Sequence, residues 1–195
     1  MWPLLVTSIV ALSVVLERVF FLLVEGTRRE PRAVRELFAQ LERGDADGAA
    51  KTGTGSRDFL ARTLGGALAE RASSFTNALL AHSAEELRRY HRGLAVLDTV
   101  ITLAPLLGLL GTVTGMIRAF SLLGGAELGA PSAITGGIAE ALIATAFGLG
   151  IAITALLPFN FLNTRLEDAR RELEIAGNRL ELLLLKHGAL AVPQI

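Results

Sequence analysis

One acid stands alone in a long apolar run: between Leu128 and Thr164 the only charged residue is Glu140. A charged acid inside a membrane helix costs on the order of a few kcal/mol, and such groups usually face a cavity or a bundle interior. Desolvation favours the neutral form. A carboxyl group that gains and loses a proton there is a candidate relay. The competing reading is a glutamate near the interface that snorkels or favours the helix N-terminus. With Glu140 set at zero and about 100° per residue, Gly137, Ala141, Ala144, Thr145, Gly148 and Ala152 fall between about 40° and 140°. Ile138, Leu142, Ile143, Phe147, Leu149 and Ile153 lie mostly on the other side. The small-residue wedge suits close helix contact or a narrow pore.

A second run carries a matching stripe. Ala104, Gly108, Gly111 and Gly115 recur on one face of Thr99–Ile117, with Thr112 beside them. Glycines at this spacing let two backbones approach closely. Thr102, Thr112, Thr114 and Thr145 can each donate to a helical carbonyl, the default role of a membrane threonine. Pro105 is expected to loosen or kink this segment.

Other chemistry finds no residues to carry it. There is no cysteine, so disulfides, thiolate metal sites and thiol nucleophiles are excluded. His82, His91 and His187 form no His-Glu-x-x-His pattern and read as polar-surface residues rather than metal ligands. Lys51-Thr52-Gly53 lacks a companion Ser-x-x-Lys, and LLGLLGTVTGM lacks the lysine of a phosphate loop. No enzymatic constellation remains. Lys+Arg and Asp+Glu are 19 each, so no whole-chain basic field points to nucleic acid.

These residues need membrane helices to hold them. A span takes about 20 mostly apolar residues, and three fit, near 3–24, 97–120 and 132–158. The first is expected to be an anchor rather than a cleaved signal, because nothing basic precedes its apolar core and Glu17-Arg18 follows it. Thirteen of the nineteen Lys/Arg lie in 17–95, five in 159–195 and none in 119–131. The positive-inside rule then places the N-terminus outside and the C-terminus in the cytoplasm. The expected fold class is an all-α membrane protein: a first transmembrane segment at 1–24, a cytoplasmic helical region at 25–96, a second span at 97–120, a short periplasmic loop at 121–131, a third span at 132–158 and a cytoplasmic C-terminal helix at 159–195. Within the cytoplasmic region, 31–43 reads as a helix behind its proline. The Gly/Asp/Ser/Thr-rich stretch 44–57 reads as a loop. Residues 59–95 read as helix running into the second span, continuous from about Ser74 to Phe120. Leu166, Leu173, Leu180 and Leu184, with Ala169, Ala176 and Leu183, read as bundle packing.

The segments LDTVITLAPLLGLLGTVTGMIRAF and ITGGIAEALIATAFGLGIAI closely resemble the MotA/TolQ/ExbB proton-channel family, and MWPLL…LERVFFL is similar to its first membrane helix. Three spans resemble ExbB, or TolQ second, rather than the four-span MotA. The resemblance implies a ring-forming homo-oligomer, generally a pentamer, in the bacterial inner membrane. The ring would enclose an ExbD-like (or TolR-like) single-span dimer and work on a TonB-like (or TolA-like) protein. Protons would be the coupling ion, with no other cofactor. Its pore-lining positions fall on Thr112, Glu140 and Thr145, beside helix-packing positions at Gly108, Gly111, Gly115, Gly137, Ala141 and Gly148. The chain departs from the family at AITALLPFN. Thr154 stands where the family often has proline and Pro158 comes four residues later, so a kink would move about one turn toward the cytoplasm.

Overall fold

A computed structural model describes residues 2–121 and 131–187. Every element among them is helical: α1 (Trp2–Thr27), α2 (Pro31–Glu42), α3 (Ala46–Gly55), α4 (Phe59–Ala69), α5 (Arg71–His91), α6 (Leu94–Ser121) and α7 (Pro131–Lys186). Three stretches, within α1, α6 and α7, are long and apolar enough to cross a membrane. The connection expected at 121–131 lies outside the described residues, apart from Ser121 and Pro131, which end and begin helices. So does the end of the C-terminal segment beyond 187. The chain forms two compact units, Met1–Val19 with Gly93–Leu162 and Phe20–Arg92 with Asn163–Ile195.

The first, apolar unit has Ala11, Val100 and Ala155 at its centre, with Ile101 and Ile151 packed against them. Small residues at the crossing points keep its helices close. Outward it shows large apolar side chains, among them Leu12, Leu106, Leu109, Leu142 and Ile153. That surface suits lipid or other apolar helices rather than water.

The second, charged unit is built like a soluble bundle. Leu37, Phe38 and Leu41 of α2 meet Phe59, Leu64 and Leu68 of α4 and Phe75 of α5, and α7 adds Leu173, Leu180 and Leu184. Of the heptad-like leucines, Leu173, Leu180 and Leu184 thus pack within one chain. Asp58 caps α4: its buried carboxylate accepts from the Leu60 and Ala61 amides at 2.9 and 3.4 Å. Its other oxygen accepts from the Glu30 amide at 2.9 Å.

Two sequence readings need correction. Residues 46–55 are helix α3, not loop, with Asp45 as N-cap accepting from the Gly48 amide. The glycines that signalled a loop serve packing. A Cβ at Gly53 would lie 2.5 Å from both the Ala61 carbonyl oxygen and the Gly65 Cα. Only a thin helix fits there, and this close approach offsets the roughly 1 kcal/mol that a helical glycine costs. The helix expected to run from Ser74 to Phe120 is broken. Ser74 is non-helical within α5, and α5 ends at His91, after which Arg92 leaves helical geometry. Gly93 takes φ +81°, a left-handed turn suited to glycine. A Cβ there would also meet Val14 Cγ1 at 3.0 Å and Arg18 Cδ at 3.3 Å. α7, by contrast, continues through Pro158.

Candidate functional site

α6 and α7 pack antiparallel along their small residues. A Cβ added at Gly148 would meet the Ala104 carbonyl oxygen at 2.5 Å, one at Gly111 the Ala144 Cβ at 2.5 Å, and one at Gly115 the Ala141 Cβ at 2.7 Å. One at Gly137 would meet Ala119 Cβ at 3.1 Å, and one at Gly108 would meet Thr145 Cα at 3.0 Å. At Gly108 the close approach makes a bond: Thr145 Oγ1 donates across the helix pair to the Gly108 carbonyl oxygen at 2.9 Å. A side chain at 108 would push that donor away. Ala141, Ala144 and Ala152 are buried in the same seam.

This register fixes the levels of the three polar residues. Glu140 and Thr145 are about 7.5 Å apart along α7 at ~1.5 Å per residue. Thr112 lies between them in height, since its neighbours Gly111 and Gly115 face Ala144 and Ala141. Glu140 is exposed at the surface of the single chain, whereas Thr112 and Thr145 are half-buried. Thr112 Oγ1 donates to its own helix, to the Leu109 carbonyl at 2.7 Å. It opens onto a surface groove shared with Met116 and Phe120. Both hydroxyl hydrogens are therefore committed to carbonyls, and the hydroxyl oxygens remain as acceptors. The Glu140 carboxyl makes no hydrogen bond or ion pair with the described residues. The band thus holds one free carboxyl group and two hydroxyl acceptors, a set able to pass a proton to or from water. Thr102 and Thr114 donate to the carbonyls of Asp98 and Leu110.

The charged unit holds a network that the sequence pattern did not suggest. Arg29 pairs with Glu172 at 2.6 Å, approaches Asp58 at 3.7 Å, and lies over the Phe59 ring at 4.8 Å. Tyr90 packs edge-on against Phe21 and Phe59, and burial pushes its hydroxyl pKa up. Glu30 accepts from Ser56 Oγ at 2.7 Å and from the Arg57 amide at 3.3 Å. These bonds hold its carboxyl below the usual range. The Asp58 cap was findable, as an aspartate just before an apolar helix. The Arg29–Glu172 pair spans most of the chain and left no local signal. His82 pairs with Glu70 at 3.3 Å, and no group of acids and histidines suited to a metal occurs among the described residues.

Comparison with known proteins gives the family context. Residues 52–175 match the MotA/TolQ/ExbB proton channel family. The biopolymer transport protein ExbB-like 1 of Synechocystis sp. is 39% identical over 194 residues, covering 94% of this chain and 74% of that protein. The biopolymer transport protein ExbB of Neisseria gonorrhoeae is 37% identical over 102 residues, 52% of this chain and 46% of that protein. The Tol-Pal system protein TolQ of Haemophilus influenzae is 42% identical over 87 residues, 45% of this chain and 38% of that protein.

Proposed function

The chain belongs to the MotA/TolQ/ExbB proton channel family, and we propose that it is the proton-channel subunit of an ExbB-type motor in the bacterial inner membrane. The observation that carries this reading is the unpaired Glu140 carboxyl in the apolar run of α7, within about 7.5 Å in height of the Thr112 and Thr145 hydroxyls on a closely packed helix pair. Glu140, Thr112 and Thr145 line the proton path. Several copies, generally five, form a ring through the exposed apolar helix faces. The ring encloses an ExbD-like single-span dimer, and a TonB-like protein carries the work to outer-membrane transporters. One charge crossing 100 mV releases about 2.3 kcal/mol, and one pH unit adds about 1.4 kcal/mol. A few protons per step suffice to bias a conformational change.

The TolQ-related relative supports a second reading, in which the same machine has TolR-like and TolA-like partners and maintains the envelope. A non-conducting membrane scaffold is the third. A Glu140→Ala strain separates them. Loss of energised uptake with intact assembly supports the ExbB role, and envelope leakiness with normal uptake supports the TolQ role. A strain normal in both respects removes Glu140 from the path and leaves the scaffold.

A further inference from the structure

In the apolar unit, the described residues leave two carboxyl groups without a hydrogen bond or ion pair: Glu140 and Asp98. Glu17, the other described acid of that unit, pairs with Arg18. Asp98 is exposed and lies one turn inside the start of α6. Its backbone carbonyl accepts from Thr102 Oγ1 at 3.0 Å, while its carboxylate is left open. A dipole role explains it poorly, because that effect fades beyond the first turn of a helix.

Its face is informative. With Thr112 at zero and about 100° per residue, Asp98 falls near 40°, Thr102 near 80° and Pro105 near 20°. The buried seam of Leu97, Val100, Ala104 and Gly108, with Gly111 and Gly115, falls between about −120° and −40°. Asp98 therefore shares the Thr112 side of α6, beside the packed seam rather than in it. Pro105 brings no amide hydrogen, so the Ile101 carbonyl on this side loses its usual donor one turn on. From Thr112 the line runs past an under-bonded carbonyl and the Thr102 hydroxyl to a carboxylate.

The axial spacing fits a transmembrane path. Asp98 and Thr112 are about 21 Å apart along α6. The Gly115–Ala141 contact sets Glu140 roughly one turn further on. The two free carboxyls thus stand about 26 Å apart along the helix pair, near the ~30 Å of a bilayer's hydrocarbon.

We propose that Asp98 is the second proton-carrying carboxyl of the path, at the end opposite Glu140, and this rests on the channel reading above. A proton on water beside Thr102 bonds to a carboxylate oxygen of Asp98. That O–H bond then breaks toward bulk solvent at the N-terminal end of α6, restoring the carboxylate. No electrons are exchanged, and reverse flux uses the same steps reversed.

The test uses the full chain, purified with its partner subunits and reconstituted in liposomes, with proton flux driven by a potassium diffusion potential. Asp98→Asn is expected to lower flux at least about a hundredfold, the lower edge of what a positioned proton-transfer group contributes. Millimolar formate on the Asp98 side restores flux, and Asp98→Glu keeps most of it. If Asp98→Asn does not assemble, Asp98→Glu decides: retained flux supports the assignment, and flux lost in an assembled Asp98→Glu complex overturns it. Loss of flux in Asp98→Asn without formate rescue overturns it too, as a structural effect. Unchanged flux in Asp98→Asn with lost flux in Glu140→Gln overturns it while the channel reading stands. Unchanged flux in both variants overturns both.

Discussion

Gly148→Ala tests the contact that sets the site. The new Cβ would sit 2.5 Å from the Ala104 carbonyl oxygen and 3.0 Å from Gly108 Cα. Both are backbone atoms and cannot rotate away, so the helices must part by roughly 1 Å to reach ordinary contact. The Thr145–Gly108 bond, 2.9 Å in this packing, would then stretch out of range. Overpacking costs about 1–3 kcal/mol, and a lost interhelical membrane bond adds about 0.6 kcal/mol on average. The better helix propensity of alanine returns up to about 1 kcal/mol. The net expectation is a loss of about 1–3 kcal/mol, with reduced proton flux because Thr145 leaves its position. Gly150→Ala is the internal control: nothing lies within 4 Å of its Cβ position, so propensity alone acts and the variant is neutral or slightly more stable. Thermal unfolding of both purified variants beside the wild type reads the difference. If Gly148→Ala melts with or above Gly150→Ala, the close-packed seam is refuted.

The charged unit gives two further predictions. Asp58→Ala strips acceptors from the Leu60, Ala61 and Glu30 amides and is expected to cost about 1–3 kcal/mol, read as a lower denaturation midpoint. The lowered Glu30 pKa stabilises the unit above the ordinary glutamate value of 4.5, and that share is lost as pH falls through the depressed folded value. Glu30→Gln should therefore lower stability at neutral pH, leave it little changed in acid, and so flatten the acid limb of a stability–pH curve. An unchanged acid limb contradicts the hydrogen-bonded Glu30.

The apolar helices were legible because about 20 residues without charge suit few structures other than a membrane span. The seam was legible too, since a 100° step already gathered Gly108, Gly111 and Gly115 on one side and Gly137, Ala141 and Gly148 on another. What failed was the reading of glycine by composition. In α3, Gly53 marks a backbone contact with Gly65, a fact about a partner helix that no local rule carries. Gly93 passed unnoticed inside a helical pattern, yet its positive φ ends one helix and begins the next. The Arg29–Glu172 pair joins residues too far apart in sequence for spacing to suggest. Asp98 was passed over because it borders the apolar run rather than interrupting it. Its meaning came only with the register of α6 on α7.

The central claim is that a proton passes through the Glu140 carboxyl. The direct measurement is proton flux into liposomes holding the reconstituted complex, wild type against Glu140→Gln, at equal protein content and with assembly verified. Gln keeps the shape and removes the titrating group. The account predicts that flux falls to the level of protein-free liposomes. Wild-type flux in Glu140→Gln would contradict it.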